Sequence, residues 1–245
     1  MKTMICVVLD RSGSMSGREK DVIGGVNTFI TEQQKLGLPA SIALVRFDTG
    51  NIERFRPMSA LKDIQPLVAS DFVPRGGTPL LDAVGQTIMA LEEDWKREQP
   101  DQAIMVIVTD GFENASTEFS KEKIRTLIQA RQNSEKWAFI YLGANVDAFA
   151  EAGAMGIRSA NTANYHSTVM GTSSAYSNLS ADVSSKRMRG AFVAETFGGN
   201  VNEDGTVTKT VNVAPPATVT EPLPVSPVPA WTPPQGSPVW TPPAP

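Results

Sequence analysis

Runs of apolar residues that recur between helical patterns constrain the fold of this chain more than any other feature. Four such runs, rich in Val and Ile, cover residues 4–9, 40–47, 103–109 and 137–142. A continuous apolar run of this length is typical of a strand buried on both faces of a parallel sheet. Between these runs, apolar residues recur at helical spacing over residues 21–36, 80–95 and 119–131. Strands and helices therefore alternate along the chain, as in a doubly wound α/β fold.

Shorter patterns complete the predicted sheet. Residues 52–55 can form a hairpin strand antiparallel to residues 40–47. A short helix at 146–152, a short strand at 160–165 and a Ser-rich helix at 172–189 follow. The predicted fold class is α/β, with a doubly wound, mostly parallel six-stranded sheet of Rossmann-like type and helices on both faces.

The composition changes near residue 197, after which prolines dominate. Twelve of the 18 prolines lie between Pro215 and Pro245, and proline interrupts both helices and sheet ladders. We expect one domain over residues 1–195 and a disordered proline-rich tail over residues 196–245. Trp-Thr-Pro-Pro occurs twice in this tail, at residues 231–234 and 240–243. These repeats could dock in an aromatic-lined groove of a partner domain.

Charge and cysteine content exclude several classes of partner. The formal net charge is −4 and no cluster of Lys and Arg reverses it, so neither nucleic acid nor an anionic membrane is expected as a partner. The single cysteine, Cys6, cannot form an intramolecular disulfide and is expected in a buried strand of a protein in a reducing compartment. No apolar run has the length of a signal-peptide core or a membrane span. We therefore expect a cytoplasmic location.

Side chains with oxygen donors gather where two predicted strands end and one helix begins. With the sheet order 3-2-1-4-5-6, the first and fourth strands are neighbours, and their carboxyl ends border one crevice. Two carboxylates and three hydroxyls would meet there: Asp10, Ser12, Ser14, Thr78 and Asp110. Such hard oxygen ligands predict Mg²⁺, with Mn²⁺ or Ca²⁺ as substitutes, and either carboxylate can act directly or through water.

The sequences that carry these donors resemble a known metal site. Asp-x-Ser-x-Ser at residues 10–14, Gly-Gly-Thr-Pro-Leu at 76–80 and Thr-Asp-Gly at 109–111 are similar to the metal-ion-dependent adhesion site (MIDAS) of von Willebrand factor A domains. The resemblance covers about residues 1–195. It implies a protein-interaction module, not an enzyme, in which Mg²⁺ has an incomplete coordination shell. An Asp or Glu of a partner protein would fill the open position.

A narrower likeness concerns small cytosolic A-domain proteins of bacteria and phages. It depends on residues 110–116, 142–148 and 164–166. This likeness implies a bacterial or phage protein without naming a partner.

Several of these residues also have simpler structural interpretations. Asp10 and the serines after it also suit a turn that caps the next helix, and Ser16 fits that role best. Asp48 is expected to be a turn residue, and Asp82 a favourable charge at a helix N-terminus. The only histidine, His166, is expected to be structural.

Two other functions remain open. The protein could be a scaffold of a phage or stress-response assembly that docks through its proline-rich tail. It could also be a Mg²⁺-dependent phosphohydrolase with Asp10 as nucleophile, although Ser12 stands where such enzymes usually carry a second Asp. A phosphate-binding loop lacks its Gly-Lys-Ser/Thr ending, and a hydrolase elbow would need serine where Met15 stands.

Overall fold

A computed structural model describes residues 1–144, 147–190 and 197–209. Its strands are β1 (Thr3–Asp10), β2 (Ala40–Asp48), β3 (Asn51–Ala60), β4 (Gln102–Thr109), β5 (Trp137–Ala144), β6 (Thr162–Tyr165), β7 (Gly199–Val201) and β8 (Val207–Lys209). Its helices are α1 (Glu19–Lys35), α2 (Leu80–Glu98), α3 (Lys121–Gln132), α4 (Ala148–Ala154) and α5 (Val169–Arg189). The predicted helices are present, each with bounds shifted by a few residues. Positions 145 and 146, at the predicted start of α4, lie outside the described residues.

The strands form one mixed sheet with the order β3-β2-β1-β4-β5-β6-β7-β8. Neighbours from β2 to β7 run parallel, and the two terminal pairs, β2 with β3 and β7 with β8, are antiparallel. The predicted α/β class and the predicted order of the first six strands are confirmed. The strand order reverses at β1, because β2 and β3 lie on one side of it and β4 lies on the other. This topological switch point is where the crevice was expected.

Within the described residues the sheet has eight strands, not the predicted six. The two additional strands, β7 and β8, contain only three residues each, and β8 is exposed along its length. Strands so short and so poor in apolar residues leave no periodic signal in the sequence. The sheet thus continues to Lys209, past the predicted domain end at residue 195. Most of the predicted tail, including both Trp-Thr-Pro-Pro repeats, lies outside the described residues.

The core has two layers, one on each face of the sheet. In β1, Ile5, Val7 and Leu9 face α1 and α5, whereas Met4, Cys6 and Val8 face α2, α3 and α4. Every residue of β1, β4 and β5 is buried, as expected for central strands covered on both faces. Cys6 is buried in β1, as predicted. In the described ranges no helix combines the length and apolar character needed to cross a membrane.

Candidate metal centre

The carboxyl ends of β1 and β4 bring the two predicted carboxylates to the same edge of the sheet. These strands are paired in parallel with Leu9 opposite Val108, so Asp10 is level with Thr109, and Asp110 follows one residue later at the same edge. Thr109, the last residue of β4, donates a hydrogen bond from Oγ1 to Oδ2 of Asp10 at 2.6 Å. Thr109 was not among the predicted site residues, although its place at the end of a buried strand next to Asp110 is a usable signal. Its hydroxyl fixes the orientation of Asp10.

The loop after β1 carries the two predicted serine ligands toward both carboxylates. The backbone N–H of Ser12 donates to Oδ1 of Asp10 at 2.7 Å, and the Oγ atoms of Ser12 and Ser14 are 2.9 Å apart. Ser14 Oγ donates to Oδ1 of Asp110 at 2.6 Å. Met15 in the same loop is fully buried and anchors it to the core. A chain of hydrogen bonds therefore connects Asp10, both serines and Asp110.

The loop before α2 brings in the fifth predicted donor, Thr78. Its backbone N–H donates to Oδ1 of Asn114 at 2.8 Å, and the N–H of Asn114 donates back to the Thr78 carbonyl at 3.1 Å. Gly13 N–H donates to the carbonyl of Gly76 at 2.9 Å, which joins this loop to the serine loop. Three loops are thus tied together by backbone hydrogen bonds, and Thr78 is held at the crevice.

Gly111 leaves the space into which three of the donors point. A β-carbon at this position would lie 2.9 Å from Thr78 Oγ1, 3.4 Å from Ser14 Oγ and 3.6 Å from Asp10 Oδ2. A side chain on residue 111 would therefore intrude among these oxygens. The structure brings all five predicted residues together at the position where Gly111 lacks a side chain, and we call this position the gap.

The crevice concentrates negative charge in a largely buried place. Asp10 is fully buried, and Asp110 is buried as well. Burial raises the pKa of Asp10 to about 6, and the neighbouring Asp110 adds to this, although hydrogen bonds from Thr109 and Ser12 favour the ionised form. A cation beside Asp10 would remove part of the cost of ionising this carboxyl group.

Arg18, which was not among the predicted site residues, supplies a positive charge in this crevice. Its guanidinium Nη1 forms an ion pair with Oδ2 of Asp110. Arg18 lies eight residues after Asp10, in a loop followed by a helix. A long side chain there can reach many places, so its target could not be inferred from spacing alone.

The carboxylates around the site mostly hold loops in place. Asp48, predicted as a turn residue, accepts a hydrogen bond from Gly50 N–H at 2.7 Å, and it also forms ion pairs with buried Arg11 and with Arg75.

Asp82 was predicted as a favourable charge at a helix N-terminus. Its carboxylate accepts hydrogen bonds from the backbone N–H groups of residues 117, 118 and 119. Glu113 accepts from Leu81 N–H at 2.9 Å and thereby caps α2. These contacts stiffen the loops that carry the donors.

The donor set fits a hard divalent cation better than a soft one. Among residues 1–144, 147–190 and 197–209, no group of three or more His, Cys, Asp or Glu side chains could hold a metal ion. The candidate site instead combines two carboxylates with three hydroxyls. Mg²⁺ is commonly held through one or two carboxylates, with water in its remaining positions. Zinc and copper, which favour thiolate or imidazole, do not match these donors.

Comparison with solved structures relates this fold to von Willebrand factor A domains. The pilus adhesin SpaC from Lactobacillus rhamnosus GG, in its open conformation, matches with a TM-score of 0.59 at 16% sequence identity, over 75% of this chain and 30% of the adhesin. The VWA domain of SpRpn10 matches with a TM-score of 0.52 at 14% identity, over 73% of this chain and 94% of that domain. The chain therefore has a von Willebrand factor A-like fold and spans less than a third of the adhesin's length. No protein-family model and no curated protein matches the sequence.

Proposed function

We propose that this domain is a protein-interaction module that binds an acidic side chain of a partner protein through Mg²⁺. The carrying observation is the gap at Gly111, on which oxygens of Thr78, Ser14 and Asp10 converge. The residues that would hold the ion are Asp10, Ser12, Ser14, Thr78 and Asp110. Ser12 and Asp110 belong to the same hydrogen-bonded chain as Ser14.

The mixture of neutral and charged donors supports binding of a further carboxylate. When bound, Mg²⁺ would supply a concentrated positive charge and a coordination position open to the partner. Ser12, Ser14 and Thr78 offer uncharged oxygens, so they cancel none of that charge. A carboxylate that reaches the site gains a charge-assisted contact that water does not match.

The surface beside the gap suits a protein partner. Phe112, two residues after Asp110, has 56% of its surface exposed, which is unusual for a large aromatic residue. The side chain of Arg75, on the loop that carries Thr78, is 58% exposed and adds a positive charge. Aromatic and arginine side chains are enriched at the energetic centres of protein interfaces. A partner segment with an acidic and an apolar residue would match these features.

The first test is direct metal binding. Titration of the full chain with Mg²⁺ or Mn²⁺ should give saturable binding at one site, lost in Asp10→Ala and kept in Asp63→Ala. Asp63 is an exposed carboxylate in a separate 3-10 turn, which makes it a matched control for loss of one charge. Circular dichroism should show that both variants remain folded. A folded Asp10→Ala variant that binds metal like the wild type would refute the proposed site.

The second test concerns the partner. Affinity capture from a host lysate, run with Mg²⁺ and with EDTA, should retain a protein only on the wild-type chain in Mg²⁺, and less of it on Phe112→Ser. Truncation after Lys209 should leave this capture intact. If the truncation abolishes capture and EDTA does not affect it, binding belongs to the proline-rich tail and the scaffold hypothesis replaces this one.

A further inference from the structure

Both carboxylate oxygens of Asp110 have partners in the loop between β1 and α1. Its Oδ1 accepts from Ser14 at 2.6 Å, and its Oδ2 pairs with the guanidinium of Arg18. The Asp110 side chain is 1% exposed, whereas that of Arg18 is 24% exposed. A nearly buried carboxylate of this kind depends strongly on a nearby positive charge, because water cannot solvate it.

The backbone of Arg18 is fixed at the start of α1. Its N–H donates to the Met15 carbonyl at 3.2 Å, and its carbonyl accepts from Val22 N–H at 2.9 Å. The loop that carries Ser12 and Ser14 therefore ends on Arg18. The guanidinium can swing into solvent about this fixed backbone, because its side chain is partly exposed, but Asp110 cannot follow it.

We propose that Arg18 is an internal competitor of the divalent ion for Asp110. This inference rests on the proposed metal site and concerns how that site is regulated. In the absence of metal, Arg18 neutralises Asp110. An ion that uses Asp110 must displace the guanidinium, so the free energy of the ion pair is subtracted from that of metal binding. Arg18 therefore weakens metal binding and stabilises the metal-free protein.

The experiment compares metal affinity in two variants that each lose the arginine of an ion pair with an aspartate. Arg18→Gln removes the partner of Asp110, whereas Arg56→Gln removes the partner of Asp71, which is not one of the five donors. Free Mn²⁺ is measured by electron paramagnetic resonance during titration of the full chain, at fixed pH and ionic strength. Arg18→Gln should lower the Mn²⁺ dissociation constant about tenfold, the scale of a hydrogen bond to a charged group. Arg56→Gln should change it by less than about twofold.

Thermal unfolding provides a second readout that follows from linkage. In EDTA, Arg18→Gln should melt at a lower temperature than the wild type, because Asp110 has lost its counter-charge. In saturating Mn²⁺ this difference should shrink or reverse, since the ion then replaces the lost charge. Arg18→Lys keeps the charge without the guanidinium geometry. Its Mn²⁺ affinity and its melting temperature should therefore lie between those of the wild type and those of Arg18→Gln.

The outcomes separate this inference from the proposed function. If the wild type binds Mn²⁺ and Arg18→Gln binds it equally or more weakly, Arg18 is no competitor, and the metal site stands without it. If the wild type and the folded Arg18→Gln variant both fail to bind Mn²⁺, the proposed function and the role of Arg18 are both refuted. If Arg18→Gln binds Mn²⁺ more tightly than the wild type and the control variant does not, the result supports the metal site and the role of Arg18.

Discussion

The aromatic ring of Tyr176 in α5 lies directly on Gly25 in α1. A β-carbon at residue 25 would be 2.3 Å from Cδ2 of that ring, which is far inside van der Waals contact. Both residues are buried, so the ring cannot move away from residue 25 without disturbing the layer that α1 and α5 form against the sheet.

This contact predicts opposite effects of alanine at two adjacent glycines. Gly25→Ala should lower the free energy of unfolding by about 1 to 3 kcal/mol through overpacking. Gly24 is exposed, and a β-carbon there would meet nothing within 4 Å, so Gly24→Ala should be neutral or stabilise by up to about 1 kcal/mol. Urea denaturation of both variants measures the difference. Equal stabilities would show that Tyr176 does not require a glycine.

A methyl group at residue 111 should damage the metal site more than the fold. The β-carbon of Gly111→Ala would lie 2.9 Å from Thr78 Oγ1, so the hydroxyl must turn away from the gap. We expect metal affinity to fall roughly 10-fold to 100-fold, as for other changes that reorient ligands. Calorimetric titration with Mg²⁺ measures this, with Gly153→Ala in α4 as the control, because a β-carbon there meets nothing within 4 Å. Unchanged affinity in Gly111→Ala would argue against the gap as the binding place.

Thr109→Val should weaken metal binding because it removes the hydroxyl that orients Asp10. The change keeps the shape of the side chain but deletes the 2.6 Å hydrogen bond to Oδ2 of Asp10. We expect about tenfold weaker binding and a loss of stability of about 1 to 2 kcal/mol.

Thr87→Val is the matched control for this change. Thr87 in α2 is also buried, but its hydroxyl has no hydrogen-bond partner among the described residues, so its replacement should be neutral or stabilising. Binding and unfolding are measured on both variants. If both lose the same stability and the same metal affinity, the Thr109 hydrogen bond has no special role.

Glu113 predicts a pH-dependent contribution to stability. Burial opposes its ionisation, but hydrogen bonds from the Ser116 hydroxyl and from the N–H groups of Leu81, Ser116 and Ala115 outweigh this and lower its pKa. A carboxyl whose pKa is lower in the folded state stabilises the protein above its unfolded pKa, and this contribution is lost as the pH falls through the folded pKa. Glu113→Gln should therefore cost about 1 to 2 kcal/mol at pH 7 and much less near pH 3.

Urea unfolding in EDTA at both pH values tests this, with Glu118→Gln as the control. Glu118 is exposed and only contacts Gln86, so its replacement should have a small effect at either pH. A Glu113→Gln deficit that is the same at pH 7 and pH 3 would contradict the assigned ionisation.

The parts of the fold that the sequence predicted are those with long, repeated signals. The apolar run of β1 and the stripe of α2 extend over several turns or pleats, so neither depends on a single residue. The strands β7 and β8, with three residues each, carry almost no local signal. Because β7 pairs with β6 and β8 pairs with β7, each depends on the edge of the strand beside it.

In the site, too, the residues next to a strand or helix end could be placed from the sequence, whereas contacts between residues far apart in the sequence could not. The proximity of five residues could be predicted because each stands at a fixed offset from a strand or helix end: Asp10, Ser12, Ser14, Thr78 and Asp110. Their role as metal ligands stays a prediction. Arg18 and Asp48 could not be assigned to their partners, because an ion pair across tens of residues depends on where long side chains reach. The role of Glu113 could not be predicted either, because its contact with the N–H group of Leu81 depends on how two distant loops pack together.

Cys6 makes the protein a convenient platform for labelling. Burial raises the pKa of this thiol to about 12, so it stays protonated within β1 and out of reach of alkylating reagents. Because the sequence contains no other cysteine, a thiol introduced at an exposed position would be the sole reactive one. A fluorophore attached at residue 112 would then report what arrives beside the crevice, without removal of a native residue from the core.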